Sequence, residues 1–175
     1  NSRPLYWDAP HFGPDNNNTN QEKDVLFGNF GANYKFNDKF KANLEVRRRY
    51  NGYFSNSRIA FGGLDVPRYS ESRSRYEQNE IFGFLSYTDR FLNDALDLDV
   101  KVGYQMQQNK ETSTSASTVG GLSVPNFYSI ATSVDRPSYS NSFVNSKVQS
   151  NFASVSIGYN SMFYLDGSYR LDWGS

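Results

Sequence analysis

The chain contains no cysteine in 175 residues, which excludes a disulfide framework, a thiol nucleophile and the common zinc clusters. It lacks a charge excess of either sign: Lys+Arg and Asp+Glu are both 18, so no net field draws it to nucleic acid or to a generally anionic partner. No apolar run reaches the about 18 residues of a membrane-crossing helix. A spanning β-strand needs only about 9–11 residues with every second one apolar, and averaging hydropathy along the chain conceals it. A secretory leader is also missing, since Asn1-Ser2-Arg3-Pro4 has no basic start, apolar stretch or small-residue cleavage site; the beginning reads as the middle of something longer.

What the chain has is aromatics, 17% of residues within a 37% hydrophobic content, at a mean hydropathy of -0.70. Tyr, Phe, Asn and Ser dominate and helix formers are scarce, a balance that favours strands. From Leu26 to Tyr50 two segments alternate. Leu26, Phe30, Ala32, Tyr34 and Phe36 share one parity, continued by Phe40, Ala42, Leu44, Val46 and Tyr50, while Asn33, Lys35, Lys41, Glu45, Arg47 and Arg49 hold the other. An Asn37-Asp38-Lys39 turn places Phe36 opposite Phe40, Tyr34 opposite Ala42 and Ala32 opposite Leu44, because cross-strand partners share a face.

The same reading predicts strands over 25–36, 39–53 and 77–88, the last with ambiguous facing because Ile81, Gly83, Leu85 and Tyr87 compete with Phe82 and Phe84. The fourth strand starts at Leu96 and alternates strictly through Val100, Val102, Tyr104 and Met106. Strands five and six pair across Asn160-Ser161-Met162, with Ala153, Val155, Ile157 and Tyr159 facing Phe163, Leu165, Gly167 and Tyr169. Residues 1–24, rich in Pro and Asn, read as loop, as do the long connections 51–76 and 109–146, where Gly, Pro, Ser and Thr accumulate.

Alternation alone suits a soluble β-sandwich as well as a membrane barrel. Length separates them: strands of globular proteins centre on about 5–6 residues, whereas these patterns persist for about 10 or more, enough at a tilt to cross an apolar band of about 25 Å. Aromatics flank both ends of the apolar stretches, Phe36, Phe40, Tyr159 and Phe163 at the short turns and Tyr50, Tyr104, Tyr169 and Trp173 at the other end, as two girdles. Arg48 falls on the apolar parity but near the strand end, where its guanidinium reaches headgroup phosphates. The expected architecture is all-β: an antiparallel transmembrane β-barrel segment with short periplasmic turns and long extracellular loops, 1–24 being an extracellular loop segment and 25–175 the partial barrel.

Three phrases resemble one family. Gly121-Leu122-Ser123-Val124-Pro125-Asn126-Phe127-Tyr128 through Ser133 is similar to the GL-x-VPN-x-Y loop of SusC-type TonB-dependent receptors of Bacteroidetes outer membranes. Tyr164-Leu165-Asp166-Gly167-Ser168-Tyr169-Arg170-Leu171-Asp172-Trp173 resembles their FLDVTARNDW strand, with Arg170-Leu171-Asp172 departing from the usual RND. Pro4-Leu5-Tyr6-Trp7 followed by Phe27-Gly28-Asn29 resembles their NPYW…FxGN passage. The resemblance implies a piece of a barrel of about 22 strands, with a plug and a TonB-contacting segment that this chain does not carry. It implies TonB-coupled active import of oligosaccharides or peptides at the Gram-negative outer membrane. Expected partners are a SusD-type surface lipoprotein, the TonB complex, and outer-membrane lipid and lipopolysaccharide, with no nucleic acid and no cofactor.

No enzyme is expected. An outer-membrane barrel enzyme, or a soluble sandwich binding module, is the alternative, but His11 is the single histidine and Pro10, Gly13 and Pro14 give it no rigid neighbour to build a triad with Asp8 or Asp15. The run Asp15 to Asn20 lacks the glycine and glutamate of a calcium loop. Candidate substrate contacts are the loop aromatics Trp7, Tyr69, Phe127 and Tyr128, whose rings stack on sugars or grip peptide backbone, and Arg47 and Arg49 on the charged parity. Val124-Pro125-Asn126 reads as an architectural turn.

Overall fold

A computed structural model of the chain describes residues 11, 13, 16–93 and 95–175. The described residues form one six-stranded antiparallel sheet in sequential order, β1 (Asn18–Lys35), β2 (Phe40–Ile59), β3 (Arg68–Phe91), β4 (Leu96–Leu122), β5 (Ser133–Tyr159) and β6 (Phe163–Gly174). A 3-10 turn, Ile130–Thr132, precedes β5. By proximity the chain divides into two units, the first comprising residues up to Val25, Asn51–Tyr76 and Glu111–Val144, the second Leu26–Tyr50, Glu77–Lys110 and Asn145–Ser175.

In the second unit the expected hairpins form in the expected register. The Phe36 amide donates to the Phe40 carbonyl at 3.0 Å, and Asn43 Nδ2 reaches Asn33 Oδ1 at 2.7 Å, both consistent with Tyr34 opposite Ala42. The turn is locked by Asn37, whose Oδ1 accepts from the amides of Lys39 (2.9 Å) and Phe40 (2.8 Å), the side chain standing in for a backbone acceptor. β5 and β6 pair Tyr159 with Phe163, Ile157 with Leu165 and Ala153 with Tyr169, around Asn160 and Ser161 at φ 49 and 54. The turn before β4 likewise has left-handed Leu92 and Asn93, at φ 55 and 54.

The undecided facing of β3 resolves through its contacts. Tyr87 packs on Phe40 with ring centroids 4.7 Å apart, and a Cβ on Gly83 would lie 3.5 Å from Leu44 Cδ1. Ile81, Gly83, Leu85 and Tyr87 therefore share the apolar face, and Phe82 and Phe84 lie among the hydrophilic residues.

The apolar face is uncovered. Leu26 and Phe30 are each 68% exposed, Val102 57% and Leu165 69%, and the only buried hydrophobic residues among those described are Ala60 and Leu122. Ala32 and Leu44 are exposed as expected, while Leu98 and Val100 are half-buried by neighbours in the sheet. A two-layer sandwich would turn these side chains inward, at about 1.5–3 kcal/mol for each large one; a single sheet leaves that stabilisation to whatever apolar phase covers it.

Three expectations are corrected. The connections 51–76 and 109–146 are mostly strand: β2 continues to Ile59, β3 begins at Arg68, β4 runs to Leu122 and β5 begins at Ser133, leaving loops only at 60–67 and 123–132. Their Ser, Thr and Asn residues mark no apolar face, yet ladder pairing with neighbouring strands satisfies the backbone, and context overrides the weak local preference. Of the segment 1–24, residues 18–24 belong to β1; Thr19 Oγ1 donates to Ser57 Oγ at 3.1 Å and the Ala60 amide donates to Asn17 Oδ1 at 3.0 Å. With these extensions, the alternation of short turns and long loops becomes one of tight turns and moderate loops.

Candidate functional site

On the hydrophilic face of the second unit, charges are paired within and across strands. Arg47 from β2 grips Glu45 with Nε and Nη2 at 2.8 Å each and reaches Glu80 of β3 at 3.6 Å. Gln105 of β4 donates to Glu80 at 2.7 Å and accepts from Arg170 of β6 at 3.1 Å. Arg170 also donates to Ser150 Oγ at 3.0 Å and to Asp172 at 2.8 Å. Ser150, 1% exposed, is the most buried side chain described. Hydrogen-bonded pairing of this kind fixes each side chain but leaves little uncompensated charge for a ligand.

Within this polar face lies an aromatic cluster absent from the sequence reading. Phe82 of β3 and Phe152 of β5 stack with planes 6° apart and centroids at 5.4 Å, and Phe84 meets Phe82 edge-on at 5.8 Å. The rings meet across β4 because Gly103 lies beneath them: a Cβ there would lie 2.2 Å from Phe152 Cζ and 2.6 Å from the Gly83 carbonyl oxygen.

The candidate residues occupy distinct places. Arg47 and Arg49 line one depression of about 270 Å³ with Phe27, Arg48, Gln78 and Glu80, where the Arg49 guanidinium stands 6.0 Å from the Phe27 ring centroid. Trp7 lies outside the described residues. In the first unit, the Tyr69 amide donates to Thr118 Oγ1 at 2.9 Å and its hydroxyl to Glu71 Oε2 at 3.2 Å; desolvation, then the neighbouring Glu71 charge, lifts its phenol above the ordinary 10.0. Tyr128 receives the Arg58 guanidinium 4.9 Å above its ring. Phe127 is 58% exposed and follows Asn126 at φ 60, bearing out the architectural reading of Val124-Pro125-Asn126. The 3-10 turn is held by Ser129, whose Oγ accepts from the Ala131 amide at 3.3 Å, and by the Thr132 hydroxyl, which donates to the Ser129 carbonyl at 2.8 Å.

The first unit also carries a hydroxyl surface. Ser55, Ser70, Ser72, Ser115, Ser117 and Ser138, from four adjacent strands, line a shallow depression of about 300 Å³. Here the parities exchange character. Even residues of β2 and odd residues of β3, apolar in the second unit, carry Arg58, Glu71, Arg73 and Arg75 in the first, and Arg73 stands 4.7 Å over the Phe54 ring. The signal was present in sequence as period-two serine at 70, 72 and 74, at 113, 115 and 117, and at 138, 140 and 142.

Comparison with known proteins places the fold. Neither a protein-family model nor a curated protein sequence matches the chain. Among solved structures, the RagAB peptide transporter superposes at TM-score 0.83 and 15% identity over 94% of this chain. The RagAB peptide importer in its closed-closed state superposes at 0.78 and 16% over 91%. This chain spans 19% and 18% of those chains. Its six-stranded sheet is thus similar in fold to a stretch of chains from a peptide transporter.

Proposed function

We propose that the chain is a wall segment of a TonB-coupled outer-membrane importer of oligosaccharides or peptides, of SusC type, working with a SusD-type surface lipoprotein. The observation that carries this reading is the uncovered apolar face of the second unit. It spans all six strands with aromatics at both ends, and the opposite face is wet and internally paired. Acyl chains supply the apolar phase that the sheet lacks, and tight turns at 36–39, 92–95 and 160–162 fall together at one end, on the periplasmic side. On the outward parity, the stretches of β2, β4 and β6 between the tight turns and Tyr50, Tyr104 and Trp173 carry a single charge, Arg48, near the loop end of its strand.

The edge strands support the same reading. β1 and β6 contain no proline, and long unprotected edges call for further strands on either side. The similarity to peptide transporter chains favours transport over catalysis, and the hydroxyl surface and the Arg47–Arg49 depression then face the solute path. Tyr69, Phe127 and Tyr128 belong to its extracellular end.

The test is uptake in cells carrying the complete gene. Deleting 60–67 or replacing Phe127 and Tyr128 by Ala should reduce accumulation of a labelled oligosaccharide or peptide while leaving the barrel inserted, and removing the proton-motive force should abolish it. Hydrolysis of the solute without uptake would point to the enzyme reading instead.

A further inference from the structure

We infer that the first unit carries a binding site for an uncharged glycan, on the face of the sheet opposite its hydroxyl surface and off the solute path. Its place off that path rests on the reading of the hydroxyl surface given above; the class of ligand does not. Glu71 and Arg73 of β3, Thr114 and Ala116 of β4, and Tyr139 and Asn141 of β5 are among the residues lining a depression of about 350 Å³. Along each strand they alternate with serines, Ser70 and Ser72, Ser115 and Ser117, Ser138 and Ser140, so their side chains belong to the other parity.

The small side chains of Thr114 and Ala116 keep the floor low between two unlike walls. On the β5 side Tyr139, 70% exposed, offers an aromatic ring. On the β3 side stand two planar charged groups with hydrogen-bonding capacity to spare. The Arg73 guanidinium lies 4.7 Å over the Phe54 ring and makes no hydrogen bond or ion pair among the described residues. Glu71 accepts the Tyr69 hydroxyl through Oε2 at 3.2 Å, and Oε1 has no partner among the described residues.

These groups select the ligand. One carboxylate beside one guanidinium leaves no net charge to draw an ion. A pyranose presents an apolar face of C–H groups and an edge of neighbouring hydroxyls. The Tyr139 ring suits the face, and the guanidinium donors, the carboxylate acceptor and the Asn141 amide suit the edge. An extended peptide has no such fit: β4 lies between β3 and β5, so its amides and carbonyls are spent in the ladders and none is left for strand addition. Phe143, 67% exposed, shares the parity of Tyr139 four residues further on, about 13 Å along β5. A chain of several sugars bridges that spacing and a single sugar does not.

The test is calorimetric titration of the full-length protein, in a detergent without a sugar headgroup, with uncharged hexasaccharides of glucose, mannose, galactose and xylose. At least one should bind, with little dependence on salt and more tightly than its monosaccharide. Tyr139→Ala should weaken that binding about tenfold, and Glu71→Gln with Arg73→Gln about tenfold or more. Tyr139→Phe, which keeps the ring, should stay within about threefold of wild type, and Lys110→Gln, outside the depression on the same strand, should leave binding unchanged. No binding by any of the hexasaccharides, binding undiminished in both Tyr139→Ala and the Glu71→Gln, Arg73→Gln pair, or displacement by an uncharged hexapeptide would each overturn the inference. Uptake is scored separately. Tyr139→Ala should import the labelled solute as the wild type does, and uptake lost together with glycan binding would put the depression on the solute path and overturn its separate role. A wild type that imports nothing sinks the importer reading and leaves the binding result standing.

Discussion

Replacing Gly103 by Ala tests how the sheet packs across β4. The added Cβ lies 2.2 Å from Phe152 Cζ and 2.6 Å from the Gly83 carbonyl oxygen, both well inside contact distance. The ring can swing at the cost of its stack on Phe82, but the carbonyl belongs to the β3 backbone and moves only with the strand. Overpacking of this kind costs about 1–3 kcal/mol, and loss of the aromatic pair about 0.5–1.5 kcal/mol more. Gly28 is the internal control, because a Cβ there meets nothing within 4 Å; Gly28→Ala should stabilise by about 0.5–1 kcal/mol through reduced backbone entropy. Urea titration of the barrel in bilayers, followed by tryptophan fluorescence and by the heat-dependent gel shift, measures both. Adding Phe152→Ala to Gly103→Ala should relieve the ring clash but not the carbonyl clash. A Gly103→Ala variant as stable as Gly28→Ala would refute this account of the cluster.

Three further outcomes are expected. Asn37→Ala removes the acceptor of two backbone amides in the first tight turn and should destabilise by about 1–2 kcal/mol, read in the same titration. Leu92→Asn should stabilise by about 0.5–1 kcal/mol, because asparagine adopts the left-handed backbone at φ 55 with less strain than leucine. Tyr69 titrates above the ordinary phenol, so between pH 10 and its folded value the native state holds a proton that the unfolded chain has lost. Its contribution is complete below pH 10 and falls as pH rises through the folded value; absorbance at alkaline pH should show a late-ionising tyrosine that Tyr69→Phe removes.

The legible part of the fold was the part with a hydrophobic contrast. From Leu26 to Tyr50, from Leu96 to Met106 and across Asn160-Ser161-Met162, one parity is apolar, and both hairpin registers follow from it. Beyond Tyr50 and Met106 neither parity is apolar, so period two survives only as spaced serines and the strands read as loop. β3 was ambiguous for another reason: Phe82 and Phe84 sit on the polar face because Gly103 leaves room for their cluster, a relation among three strands that no single segment displays. The candidate site divided likewise. Arg47 and Arg49 share a depression, whereas the couplings of Tyr128 to Arg58 and of Tyr69 to Thr118 join residues far apart in sequence.

The measurement that bears most directly on the central claim is depth-resolved labelling, which the absence of native cysteine makes simple. Single cysteines placed successively from Leu98 to Val102 and from Phe163 to Leu171, spin-labelled in bilayers, should alternate with period two. Lipid-soluble oxygen should reach Leu98, Val100, Val102, Leu165 and Leu171, and a polar nickel complex should reach Asp99, Lys101, Asp166 and Arg170. Uniform aqueous accessibility at both parities, or oxygen contact at Lys101 and Asp166 in place of Val102 and Leu165, would contradict a sheet whose apolar face lies against lipid.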